Sequence, residues 1–133
     1  MPAKVKVAEV MKTTLHVVDG LISVQTAINE MNRLHVGSLI VQRRDEEDEF
    51  GIITVHDIAE KVIAVNRSVE RTNVYEVMTK PALSIDADMN IKYAIRLLSR
   101  LGLTRALVTG GPEPLGLVTL RDMIVRYSDT DEA

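Results

Sequence analysis

Gly51-Ile52-Ile53-Thr54-Val55-His56-Asp57-Ile58 is written a second time, as Gly116-Leu117-Val118-Thr119-Leu120-Arg121-Asp122-Met123. Gly, Thr and Asp keep the same three offsets, aliphatic residues follow the Gly and the Asp, and the displacement is 116 − 51 = 65 residues. Upstream, Val10-Met11 returns as Val77-Met78 at 77 − 10 = 67, and Ile28, Met31 and Leu34 return as Ile95, Leu98 and Leu101 at that same spacing. The step from 67 to 65 puts a two-residue deletion between Val41/Val108 and Gly51/Gly116, where the chain is most polar. A repeat of this period decides the architecture before any single element is assigned. One unit is used twice.

Read outward from the repeated stretch, each unit carries the pattern β-α-β-β-α. In the first, Val7, Val10 and Met11 suit a short amphipathic turn, and Leu15-His16-Val17-Val18 a brief strand closed by the turn signal Asp19-Gly20. Ser23 can cap a helix whose stripe is Val24, Ala27, Ile28 and Met31. Gly37 marks the handover to a buried strand, Ser38-Leu39-Ile40-Val41. Phe50-Gly51-Ile52-Ile53 returns as the third strand, ended by Thr54, and a helix over Asp57 to Val65 turns Ile58, Ala59, Val62 and Ile63 inward. Asn66 to Arg71 is a polar bridge, and Asn73 caps a short turn bearing Val74, Val77 and Met78. The second unit then predicts strands at Leu83–Ile85, Arg105–Thr109 and Leu115–Val118, with helices at Ile91–Leu101 and Asp122–Tyr127. Ser128 to Ala133 reads as a polar, frayed tail. The fold class is α/β (α+β), with domains at 8–66 and 73–128. Neither has comfortable apolar surface alone, so the two are expected to pack around a pseudo-twofold axis.

Composition narrows the function. The 133 residues are 46% hydrophobic and 26% charged, ordinary for a soluble domain. Aromatics are only 3%, so aliphatic residues and Met must build the core. With no cysteine there is no disulfide framework or thiol chemistry. No apolar run reaches the roughly 20 residues of a membrane span, and the opening Met1-Pro2-Ala3-Lys4-Val5-Lys6 has no secretory apolar stretch. These features point to the cytoplasm. The net charge of −3 argues against general nucleic-acid binding, which depends on neutralising phosphates.

The repeated Thr-x-x-Asp admits two readings. As a capping box, the Thr hydroxyl accepts a backbone N–H at the helix start and the carboxylate meets the positive end of the dipole. As a ligand site, the same helix start attracts an anion, and a carboxylate one turn in can accept both hydroxyls of a ribose. The leading Gly permits close backbone approach.

With these residues in view, the chain resembles a tandem pair of CBS domains, the cystathionine β-synthase-type modules that form a Bateman module. The resemblance rests on Val10-Met11 and Val77-Met78-Thr79-Lys80-Pro81 at the unit starts, the two Gly-to-Asp stretches, and the strand beginnings near Gly37 and Thr104. It spans roughly residues 8 to 128. It implies a cleft between the units for an adenosine-containing ligand: AMP, ADP, ATP, S-adenosylmethionine or NAD. By position, Asp57 and Asp122 would accept ribose hydroxyls, and Thr54 and Thr119 would contact phosphate or ribose. Arg105 would reach the phosphates, where the first unit has Ser38 instead. Pro81, Ala82 and Ile53 or Val118 would wall the adenine. His56 and Arg121, between Thr and Asp, face a phosphate or stand exposed. Unequal affinity of the two sites follows. The implied role is an AMP-binding regulatory sensor, homodimeric through helix faces and read by a protein partner, with no catalytic cofactor.

Other residues suggest no enzyme. His16, His35 and His56 lack metal-ligand spacing, and no nucleophile–base constellation is visible. Asp45-Glu46-Glu47-Asp48-Glu49 reads as a solvated hairpin tip or a site for a basic partner. Gly110-Gly111-Pro112 joins two strands and is a hairpin tip rather than a phosphate loop.

Overall fold

The computed structural model describes residues 4–130. Ser23 begins the first long helix as predicted. Its hydroxyl accepts the Thr26 N–H at 3.0 Å, and α1 runs Val24–Leu34 with Val24, Ala27 and Met31 buried. Around it lie β1 (Val17–Val18), β2 (Ser38–Val41), β3 (Gly51–Thr54) and α2 (Val55–Ile58). The second copy supplies β4 (Ser84–Asp86), α3 (Ile91–Leu101), β5 (Arg105–Thr109), β6 (Pro114–Thr119) and α4 (Leu120–Thr130). Each sheet has three strands, a parallel pair (β1/β2, β4/β5) and an antiparallel one (β2/β3, β5/β6). The chain is α+β, as the pattern predicts.

Two helices depart from expectation. α2 starts at Val55, directly after Thr54, and widens into a π-helical stretch over Ala59–Ile63. Only Ile58 and Val62 of the expected inward set are buried, since the wider turn rotates Ile63 out to 56% exposure and leaves Ala59 exposed. α4 runs on through Ser128 and Asp129 to Thr130, where a frayed tail was expected; the rest of that tail lies outside the described residues.

The compact bodies do not follow the sequence repeat. One is His16–Ala82; the other joins the segment ending at Leu15 to the chain from Leu83 onward. Each copy's leading segment thus completes the other copy's strands. The reason is the open edge of β3 and β6, whose backbone groups need partners. Thr79 and Ile52 exchange two backbone hydrogen bonds of 2.9 Å, and Lys12 and Leu117 exchange bonds of 2.8 and 2.9 Å. The leader following the first copy is nearest to hand for β3, which leaves the first leader for β6.

Each body has its own core. In one, Leu39, Val41 and Ile53 of the sheet meet Val24, Ala27 and Met31 of α1 and Ile58 and Val62 of the following helix. In the other, Ala106, Val108 and Val118 meet Ile91, Ala94, Leu98 and Met123. Full burial of each Val, Leu or Ile contributes roughly 1.5–3 kcal/mol. Glycine in each motif strand, first in β3 and third in β6, is required by the leader packed against it. A Cβ on Gly51 would stand 2.9 Å from Met78 Sδ, and one on Gly116 would stand 2.7 Å from Lys12 O and 2.8 Å from Met11 Sδ. Backbone carbonyls cannot swing aside as a methionine can. Gly116→Ala is therefore expected to cost roughly 1–3 kcal/mol, read as a lower denaturant midpoint; unchanged stability would show that the leader does not press on β6.

Candidate functional site

The two Thr–Asp corners share one bond. Asp57 N donates to Thr54 Oγ1 at 3.1 Å, and Asp122 N donates to Thr119 Oγ1 at 3.1 Å. That bond caps the helix at the point where the strand ends. Beyond it the copies diverge.

In the first copy the corner is closed. Asp57 is buried, and its Oδ2 accepts from Thr54 N and from Thr54 Oγ1, both at 3.0 Å. Its Oδ1 lies 3.3 Å from Lys61 Nζ, which also donates to Val77 O at 3.2 Å. This carboxylate is committed to a complete capping box with a lysine behind it. His56 stands exposed and pairs with Glu60 at 2.8 Å, one turn along the same helix.

The second corner is open. Asp122 is half-buried, and among the described residues its carboxylate closes no hydrogen bond or ion pair. The residue matching Lys61 is Arg126, 65 positions on, and it turns instead to the leader, 3.7 Å from Glu9 Oε1 and 3.5 Å from Glu9 O. Arg105 takes the vacated electrostatic role. It pairs with Thr119 in the β5/β6 register, so the two side chains share one sheet face. Burial lowers its guanidinium from the usual value, and the Asp122 carboxylate pulls it back upward. It remains a cation at any physiological pH. Ser38 pairs with Thr54 in the same register position and is buried, so the first corner has a hydroxyl where the second has a charge. Arg121 is exposed in the first turn of α4.

The expected aliphatic wall falls differently. Ile53 and Val118 are buried in the helix-side cores. Their neighbours Ile52 and Leu117 point to the opposite sheet face, since side chains alternate along a strand. Pro81 is exposed after a cis peptide bond to Lys80, and Ala82 is buried, its N–H donated to Phe50 O at 2.9 Å. Sequence reasoning missed Lys61 and Asp48. The spacing Asp57…Lys61, i to i+4, was the available signal for the first. Asp48 sits in the acidic run, but its Oδ2 accepts from Lys80 Nζ at 2.6 Å and from Arg44 N at 2.9 Å, so it pins the hairpin rather than standing in solvent. Among the described residues no three His, Cys, Asp or Glu side chains gather as a metal site.

Comparison with known proteins covers the same ground. The family profile of the CBS domain matches residues 7–64 and again 74–129. An uncharacterized protein of Methanopyrus kandleri is 24% identical over 71% of this chain and 48% of its own, so the chain spans about half of that relative. The hexameric CBS-CP12 protein from bloom-forming cyanobacteria superposes with a TM-score of 0.90 at 29% identity, over 96% of this chain and 70% of that one. A putative signal-transduction protein with CBS domains from Burkholderia ambifaria gives 0.86 at 25% identity, over 96% of each chain.

The asymmetry of the corners has a direct consequence for stability. Asp57→Asn, which disturbs two accepted hydrogen bonds and an ion pair, is expected to cost roughly 1–2 kcal/mol, and Asp122→Asn well under 1 kcal/mol. Urea denaturation of the two variants separates them; equal losses would contradict the open second corner.

Proposed function

As the chain belongs to the CBS-domain family and carries the domain twice in tandem, we propose that it is a regulatory module binding an adenine nucleotide, AMP foremost, at the second corner. One observation carries the reading: Arg105, Thr119 and Asp122 bring a buried-edge cation, a hydroxyl and an uncommitted carboxylate to the start of an 11-residue helix. The carboxylate suits a pair of ribose hydroxyls. The cation and the positive helix end suit a phosphate. A cation there also disfavours S-adenosylmethionine, whose sulfonium is itself positive, and so favours AMP, ADP or ATP.

Regulation follows by population shift. A ligand that draws Arg105 and Asp122 together stabilises the arrangement it fits, and a partner or a second copy reads the change. Self-association through helix faces belongs to the same proposal, supported by the half-exposed Tyr93, Ile124 and Val125 on α3 and α4. For the first corner the favoured reading is structural, because Asp57 is already spent on its own helix.

Thermal denaturation with AMP, ADP, ATP, NAD and S-adenosylmethionine tests the proposal. AMP at about 100 times its dissociation constant is expected to add roughly 2.7 kcal/mol, a rise of several degrees. That rise is lost in Asp122→Ala and Arg105→Ala. No shift with any nucleotide, or a shift that survives both substitutions, would refute it.

A further inference from the structure

The His16–Ala82 body holds a cavity of ≈ 750 Å³ away from the Thr54 corner. Thr54 pairs with Ser38 at one end of β2, whereas the cavity begins at Val41, the other end. Three residues of strand separate them by about 10 Å. The volume falls within the roughly 300–1,000 Å³ of small-molecule sites.

One side is apolar and partly open. Tyr75 is 51% and Leu21 72% exposed, and Met78 lines the floor beside them. The other side is basic, with Arg43, Arg44 and Lys80. Two carboxylates bear on it. Asp19 Oδ1 is turned back to accept Leu21 N at 2.8 Å. Asp48 Oδ2 holds Lys80 Nζ at 2.6 Å and Arg44 Nε at 3.2 Å. Lys80 and the Arg44 backbone keep the Asp48 carboxyl well below the usual carboxylate range, so it stays ionised and fixes both cations at the wall. An ammonium has three donors and a guanidinium five, so each cation retains capacity for a ligand.

The other body shows what this cavity is made of. Tyr75 N donates to Gly20 O at 2.9 Å, as Ala8 N donates to Ala87 O at 3.0 Å, so the backbones correspond. On that common frame Tyr75 is replaced by Ala8, Gly20 by Ala87, and Lys80 by Thr13. Counting on from Val41 and Val108, Arg43-Arg44 become Gly110-Gly111. The core residues repeat; the aromatic and all three cations do not. The scaffold does not need these side chains to fold, for the other body folds without them.

We propose that this cavity binds a small aromatic anion, its ring against Tyr75, Leu21 and Met78 and its carboxylate, sulfonate or phosphate toward Arg44 and Lys80. This site is independent of the nucleotide corner.

The probe is 8-anilino-1-naphthalenesulfonate, titrated by fluorescence against the full chain. Tyr75→Ala combined with Arg44→Gly, both exposed positions set to the other body's residues, is expected to weaken binding at least tenfold. Asp122→Ala is expected to leave it unchanged, as is Ile124→Gln in a separate groove between α3 and α4 lined by Ile95, Ile124 and Tyr127. N-phenyl-1-naphthylamine, the same ring system without the sulfonate, should bind at least tenfold more weakly. Unchanged affinity in the double variant, or loss in Ile124→Gln instead, would overturn the location. Equal binding of the uncharged amine would overturn the anionic part of the assignment.

Discussion

A single hydrogen bond, from the Asp N–H to the Thr hydroxyl three residues earlier, governs both strand-to-helix corners at the same 3.1 Å. It ends β3 and β6, starts α2 and α4, and places a carboxylate at the third residue of each helix. The Gly three residues before the Thr lets the leader and its methionine pack against the strand, and the Thr turns the chain into the helix. The remainder of each unit is a hydrophobic frame that holds this corner still.

Two copies of one frame form a controlled comparison within a single chain. The shared bond shows what the fold requires. The differences show what it does not. Lys61 backs Asp57 in the first copy, while its counterpart Arg126 is drawn to Glu9. Ser38 is neutral where Arg105 is charged. The first corner has become a complete cap, and the second keeps an acid and a base of opposite charge on one face. The same comparison at the other end of the sheet isolates Tyr75, Arg43, Arg44 and Lys80 as additions to the His16–Ala82 body alone. These differences fall outside the cores, while Ile28/Ile95 and Met31/Leu98 keep the packing.

Most of the architecture was legible because it rests on local periodicity and on repetition. α3 and β5 fall at their predicted residues, since Asn90 caps the one and Gly110 ends the other. The exchange of leaders was not legible: the repeat frame assigns Val10-Met11 to the copy it precedes, and only the need of β3 and β6 for an edge partner reassigns it. The π-helical turn after Ile58 was likewise invisible, because an i, i+4 pair such as Ile58 and Val62 fits either winding. At the site, the sequence named Thr54, Asp57, Thr119, Asp122 and Arg105 but could not say which carboxylate is already engaged. That depends on a lysine one turn further on and on a glutamate more than a hundred residues away. Which face Ile53 and Val118 take was not legible either, since both lie in short, wholly apolar stretches; the structure turns both into the cores.

The measurement that bears most directly on the account is a two-dimensional amide NMR titration of the chain with AMP. The open second corner predicts saturable shifts at Thr119, Leu120, Arg121 and Asp122, with one AMP bound per chain and the amides of Thr54 to Asp57 left in place. Shifts centred on Thr54 to Asp57, or equal shifts at both corners, would contradict it.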